Sequence, residues 1–239
     1  MQERFSWRSA PVSRPDFILE PRQLPTLSDL LGAYEDYRPL FDVSPDAGHR
    51  LIEGWPVAGG LVATEPRGFL RPADALTLYD LSRYQPGNVL EIGSAWGLSA
   101  TILCRGVRAR GCSKVVSIEI DAAFQKIAVK SVKRLGLAHL YRMRRGEASR
   151  LMQEAIDRGE TYGSIFVDHD HGLEASIRAC QLLPRLLAPS GFILFHDFND
   201  PLNQSGEYGV YEAVRIMLET DPTLSLFGIP GCCALIGRG

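Results

Sequence analysis

Val89-Leu90-Glu91-Ile92-Gly93-Ser94-Ala95-Trp96-Gly97-Leu98-Ser99-Ala100 is the segment that decides how the rest of the chain is read. The apolar run Asn88 to Ile92 reads as a buried strand, the glycine turn ends it, and Leu98 to Val107 reads as a helix. Gly93 lacks a Cβ, so the backbone can turn tightly and a ligand can approach it. The helix that follows presents N–H groups without intrahelical partners to an anionic group. Gly93 and Gly97 are spaced Gly-x-x-x-Gly and not Gly-x-Gly-x-x-Gly, which argues against a dinucleotide pyrophosphate turn and suits an amino-acid carboxylate.

Working outward, a helix is predicted over Pro72 to Tyr84, with Ala75, Leu78, Tyr79 and Leu81 on its apolar face. After the glycine turn come a β-branched run at Lys114 to Ile118 and a helix from Ala122 to Leu135 that stops at Gly136. Strand Leu140 to Met143, helix Ala148 to Arg158 and strand Ser164 to Val167 follow. A helix over Leu173 to Leu187, broken at Pro184, leads to strand Gly191 to Phe195 and helix Tyr208 to Thr220. Leu224 to Phe227 and Cys232 to Ile236 close the chain as two strands near enough to pair. Seven strands alternating with helices predict an α/β fold with a doubly wound, mostly parallel sheet and helices on both faces. Ligands of such sheets bind at the carboxyl ends of the strands, where the strand order reverses.

The chain has 239 residues, 45% of them hydrophobic, which fits one main domain with an extension. Residues 1–67 hold eight of the fifteen prolines and lack the later alternation, so the domain is set at 68–239 and 1–67 is an amino-terminal extension. Within the extension Leu27, Leu30, Leu31 and Tyr34 follow the capping candidate Thr26 at helical spacing. That helix is expected to pack on the domain, to act as a lid, or to contact a second copy in a homodimer. A formal charge of -2 gives no global attraction to nucleic acid, and the cluster Arg142, Arg144 and Arg145 with Lys126, Lys130, Lys133 and Arg134 is read as a solvated face. No nucleic-acid partner is expected. Five cysteines without a C-x-x-C pair are read as reduced thiols. With no apolar signal-peptide core and no apolar run near ~20 residues, the expectation is a cytoplasmic protein with no membrane partner.

The second strand ends at Glu119, where an acidic side chain in folds of this kind accepts hydrogen bonds from ribose hydroxyls, and Asp121 is the competing carboxylate. Here a specific resemblance enters: residues 89–100 resemble the donor-binding turn of the catechol O-methyltransferase group, within the class I S-adenosylmethionine-dependent methyltransferases. The same group is similar at Gly146-Glu147-Ala148-Ser149, at Phe166-Val167-Asp168-His169-Asp170-His171 and at Phe195-His196-Asp197-Phe198, in the same order from about Gly68 to the end. The last segment also resembles small-molecule methyltransferases that act on sugars and natural products.

The resemblance implies S-adenosylmethionine as cofactor. Glu91, Gly93, Ser94, Trp96 and Gly97 would surround its methionine portion, Glu119 its ribose, and Glu147, Ala148 and Ser149 its adenine, with Asp168 at the junction with the acceptor. It implies a divalent metal ion on Asp168, His196 and Asp197, and a base at His171. Relatives use two acidic residues and an amide for the metal and a lysine as base, so His196 and His171 are departures, and Mg²⁺ prefers oxygen to imidazole. Three arrangements stay open: a hard cation on Asp168 and Asp197 with His196 as proton acceptor, a metal also bound by imidazole, or no metal and a histidine base with a pKa near ~6.5. His169 and Asp170 interleave with the same motif. Trp55, Trp96 and Tyr208 are candidates to line an aromatic acceptor pocket, and Asn199, Asp200 and Asn203 to touch hydroxyls. The reading is an O-methyltransferase for a small hydroxylated molecule. Its rivals are a metal-independent sugar or natural-product methyltransferase with a histidine base, and a donor-binding module that transfers nothing.

Overall fold

Side chains on alternate faces of the strands divide the core in two. The computed structural model describes residues 68–70, 72–111 and 113–238, together with the backbone of β1 (Arg50–Leu51), β2 (Trp55–Val57) and β3 (Gly60–Val62). The helix expected near Leu27 to Tyr34, and the assignment of residues 1–67 to a lid or dimer contact, lie outside the described residues. β1 pairs antiparallel with β4 (Phe69–Leu70), and β2 with β3.

The domain then runs α1 (Pro72–Tyr84), β5 (Val89–Ile92), α2 (Leu98–Arg110), β6 (Val115–Glu119), α3 (Ala122–Arg134), β7 (Tyr141–Arg145), α4 (Ala148–Asp157), β8 (Tyr162–Val167), α5 (Leu173–Leu186), β9 (Leu187–Phe195), α6 (Leu202–Ser205), α7 (Val210–Thr220), β10 (Leu224–Gly228) and β11 (Ala234–Arg238). The seven-stranded sheet has the order β10-β11-β9-β8-β5-β6-β7. β5 to β9 are parallel, and β11 and β10 add antiparallel. The expected α/β architecture is the observed one.

Val89, Val115, Phe166 and Leu194 bury against α1, α2 and α3, while Leu90, Ile92, Val116, Ile118, Ile165 and Val167 bury against α4, α5 and α7. A strand covered on both faces reads as a continuous apolar run, which is why β5, β6 and β8 were legible. Each fully buried leucine or isoleucine of these layers contributes roughly 1.5–3 kcal/mol of hydrophobic stabilisation.

Three boundaries differ from expectation. α5 continues through Pro184 to Leu186, because a proline in the last turn forgoes a single backbone bond. β9 begins at Leu187 and changes register against β8 between Tyr162 and Ser164. α7 starts at Val210 behind Gly209, leaving Tyr208 outside the helix, and the four-residue α6 was not anticipated.

The strand order reverses about β5, which lies between β6 and β8. Ile92 pairs with Val167, and Val167 with Phe195. The ladder continues one step further, with Asp168 N–H donating to Ile92 O (2.8 Å) and His196 N–H to Val167 O (3.0 Å). Gly93, Asp168 and His196 therefore emerge side by side in one row at the carboxyl edge.

Candidate functional site

The turn after β5 needs its glycines. Gly93 has φ +86°, and a Cβ there would lie 1.8 Å from the backbone oxygen of Asp168. Gly97 has φ +91°, and its Cβ would meet Ala128 Cα at 2.8 Å. Ala95 also adopts a positive φ of 39°, uncommon outside glycine and typical of tight functional turns. Glu119 closes the turn from the next strand: its Oε2 accepts from the N–H groups of Ser94 (3.2 Å) and Ala95 (3.0 Å), and its Oε1 from Asp121 N–H (2.9 Å). The competing Asp121 instead caps α3, accepting from Ala123 N–H (2.6 Å) and Phe124 N–H (3.1 Å).

A cavity of about 390 Å³ opens at this turn, lined by Gly93, Glu119, Ala148, Ser149, Asp168 and His169 among others. Glu147 also reaches it, but its carboxylate caps α4 through Ser149 N–H (2.9 Å) and Arg150 N–H (2.7 Å). Burial alone would raise this carboxyl; those donors outweigh it and hold it below its ordinary pKa. Ser94 and Trp96 line a smaller adjoining cavity of about 40 Å³ with Phe69, Gly93 and Asp168. The Trp96 ring stands between Phe69 and Phe124, each centroid 6.1 Å away.

Gly97 lines neither cavity and serves as the turn into α2. Glu91 is fully buried behind the turn, on the α1–α3 face, and Ser117 on the neighbouring strand donates to it. Burial pushes its carboxyl up to about 7. Ile120, 66% exposed, and Phe124 also border the larger cavity. Neither stands out in the sequence, where Ile120 reads as a continuation of the apolar strand before it.

Next to the cavity, Asp168, His171, His196 and Asp197 point ligand atoms to within 4.8 Å of one another. His171 Nε2 lies 2.9 Å from Asp197 Oδ2 and 3.4 Å from Asp168 Oδ1. His196 Nδ1 lies 3.3 Å from Asp168 Oδ1 and 3.2 Å from Asp197 Oδ2. Burial opposes ionisation of every member, but mutual attraction prevails. Asp168 is held at about 2 by His196 and His171, and Asp197 is held below its ordinary range by the same two rings. His171 rises to about 9 on account of Asp168 and Asp197, so it is not the unperturbed imidazole that the sequence suggested. His196 is likewise raised, with Cys232, Asp168 and Asp197 as the causes that overcome its burial.

Tyr208 stacks on His171 with ring centroids 4.5 Å apart and planes at 17°, and Gly209 N–H donates to His171 O (2.8 Å), so the start of α7 orients that ring. Asp197 itself has φ +56°. Asn203 secures the loop that carries it, donating from Nδ2 to Asp197 O (2.8 Å) and Asp200 O (3.0 Å) and accepting from Tyr211 N–H (2.9 Å). Asn203 is thus engaged as a loop fastener. Asp200 caps the start of α6 through Leu202 N–H (2.9 Å), Asn199 is buried, and Asp170 accepts from Gly172 N–H (2.8 Å). Burial lowers the pKa of His169. Asp74, on the first turn of α1, approaches His196 Nε2 at 3.5 Å and was not singled out by sequence, where it reads as an ordinary acidic residue at a helix start.

A seven-stranded sheet of this order, with an acidic residue folded onto the glycine turn of its first parallel strand, is the fold that this chain shares with solved O-methyltransferases. Residues 90–198 match the family model described as a methyltransferase domain. A catechol O-methyltransferase of Niastella koreensis is 28% identical over 87 residues, a stretch that covers 36% of this chain and 38% of that relative. Among solved structures, an O-methyltransferase from Bacillus cereus in complex with SAH superposes with a TM-score of 0.55 at 20% identity, over 69% of this chain and 78% of that one. The O-methyltransferase TomG from Streptomyces achromogenes, involved in tomaymycin synthesis and solved with SAM, gives 0.58 at 18% identity, over 90% of this chain and 92% of that one. Among the described residues no helix is long and apolar enough to cross a membrane.

Proposed function

We propose that this chain transfers the methyl group of S-adenosylmethionine to a hydroxyl of a small molecule, with the donor in the 390 Å³ cavity and the acceptor at the cluster of Asp168, His171, His196 and Asp197. The observation that carries this reading is the shared row at the sheet edge: a donor anchored on Gly93 faces side chains that follow the two adjacent strands. When bound, S-adenosylmethionine supplies an electrophilic methyl carbon on a sulfonium that departs as a neutral thioether. The protein's task is to align an oxygen behind that carbon and take its proton.

Glu119, already oriented by three backbone N–H groups, receives the ribose hydroxyls. Asp168 and Asp197 hold His171 protonated below about pH 9, so at neutral pH its Nε2–H pairs with them, and it takes the acceptor proton only in the neutral form that grows as pH rises towards 9. Tyr208 and Gly209 hold the ring for that step.

A divalent cation fits the same cluster, since its ligand atoms converge and both carboxylates stay ionised. Asp168 and Asp197 would hold it with water completing the shell, as a hard cation prefers oxygen, and it would lower the pKa of a coordinated hydroxyl. The His196 Nδ1, beside both carboxylates, then serves as their partner and not as a ligand. The metal-independent reading is favoured by one observation, the partly exposed His171 ring, which an acceptor can reach and which serves as base once it is neutral at alkaline pH.

Donor carrying a labelled methyl, offered to catechols and to hydroxylated sugars and natural products with and without chelator, tests the reading. Labelled ether that disappears with chelator and returns with Mg²⁺ or Mn²⁺ supports the cation, and chelator-insensitive transfer supports the histidine base alone. Donor binding without transfer to any hydroxyl favours the non-catalytic module. Residues 1–67 are proposed to pack on the domain, to act as a lid or to join two copies, and their removal, followed by donor affinity and particle size, separates the three.

A further inference from the structure

We propose that Asp74, His196, Cys232 and Cys233 form a second metal site, sealed beneath the acceptor-side cluster, that takes a structural zinc ion. The four residues come from three separate parts of the chain: the first turn of α1, the end of β9, and the turn before β11. Their ligand atoms lie within 4.8 Å of one another and all four are buried, Asp74 and both cysteines at 0% exposure. Two sulfurs, one imidazole nitrogen and one carboxylate oxygen make a mixed set of the kind that zinc accepts in a closed, four-coordinate site.

The spacing agrees with that geometry. Zinc bonds of ~2.0–2.3 Å at tetrahedral angles separate neighbouring ligand atoms by roughly 3.3–3.7 Å. Here Cys232 Sγ and His196 Nε2 lie 3.4 and 3.5 Å from one Asp74 oxygen, Oδ2, Cys233 Sγ lies 3.4 Å from the other, Oδ1, and one ligand atom from each residue falls within 4.8 Å of the rest. The turn that brings the thiols in is shaped for this approach. Gly231 has φ +57°, a Cβ there would lie 2.0 Å from Asp74 Oδ1, and Cys232 N–H donates to that oxygen at 2.9 Å. Cys233 N–H donates to Pro230 O (2.8 Å), and Asn199 N–H to Cys232 O (3.0 Å), tying the turn to the loop after β9.

His196 connects the two clusters. Its Nε2 faces Asp74 and its Nδ1 faces Asp168 and Asp197. A metal-bound imidazole commonly donates its other N–H to a carboxylate, which fixes the tautomer and the ring's orientation. A zinc ion at Nε2 would therefore set Nδ1–H toward the acceptor-side carboxylates. With four protein ligands and no open position the ion has no part in methyl transfer, and the proposal does not depend on the donor or on a cation at Asp168.

The full chain, expressed with zinc present and passed over a chelating resin, is assayed by mass spectrometry for metal and then reconstituted with Co²⁺ after acid or chelator stripping. The expected result is about one zinc per chain. The cobalt form should show a thiolate-to-cobalt charge-transfer band and the intense visible bands of a tetrahedral site. Cys233→Ser should lose the zinc, while Asp168→Asn and Cys180→Ser should keep it. Wild-type protein that binds no zinc, or cobalt bound without thiolate bands, overturns the proposal and leaves a buried Asp74–His196 pair capped by the two thiols. The wild-type cobalt spectrum decides the matter even if the cysteine variant does not fold.

Discussion

On the proposed donor side of the crevice the fixed polar contacts run between one carboxylate and the backbone, whereas on the proposed acceptor side they run between side chains. Glu119 collects N–H groups from Ser94, Ala95 and Asp121, and Gly93 lets the next strand pass against the turn. Asp168, His171, His196 and Asp197 instead answer one another's charge in a buried space. Such a cluster is sensitive to pH and to the loss of any one partner. A site made of backbone depends on local conformation, so its weak points are glycines; a site made of charges depends on balance, so its weak points are carboxylates.

Gly93→Ala should break the donor side most severely. Its methyl has no room beside Asp168 O, and we expect affinity for S-adenosylhomocysteine to fall by at least ~100-fold with a loss of folded yield, followed by calorimetry and circular dichroism. Gly136→Ala, also at positive φ but with open space around its Cβ, is the control and should cost only ~1–2 kcal/mol of stability.

Asp197→Asn should break the acceptor side alone, lowering turnover by ~100-fold or more while donor affinity stays within about threefold. It also tests the charge balance. The folded pKa of His171 lies above its ordinary 6.5, so its ion pairs contribute fully below pH 6.5, and that contribution is lost as pH rises through about 9. The variant should show a shallower loss of thermal stability across that window.

Glu91→Gln is the mildest, since Glu91 stands behind the turn. Its carboxyl is raised to about 7 by burial, so the native state holds a proton that the unfolded chain releases above about 4.5. Wild-type stability should therefore decline from about pH 4.5 to about pH 7, by up to ~3 kcal/mol, and the glutamine variant should flatten that decline in pH-dependent denaturant melts.

The same contrast explains what the sequence disclosed. The glycine turn, Glu119 and the order of strands are local patterns, and Asp168, His196 and Asp197 stand directly after strands, so all are legible in the order of residues alone. Asp74 and Cys232 are 158 residues apart, and nothing in the composition around either announces that they meet. The engagement of Glu147 in a helix cap, and the raised pKa of His171, arise from neighbours that only the packed fold supplies. The boundaries of α5 and β9 were missed for a related reason: a proline in a final turn and a register change are tolerated by tertiary packing, which local propensity does not encode.

Calorimetric titration of the full chain with S-adenosylhomocysteine, beside Glu119→Gln, probes the donor assignment most directly. Binding near ~1–100 μM to the wild type, weakened ~10- to 100-fold in the variant, is predicted from the loss of charged hydrogen bonds at the ribose and the turn. No heat with wild-type protein, or equal affinity in both, would contradict it.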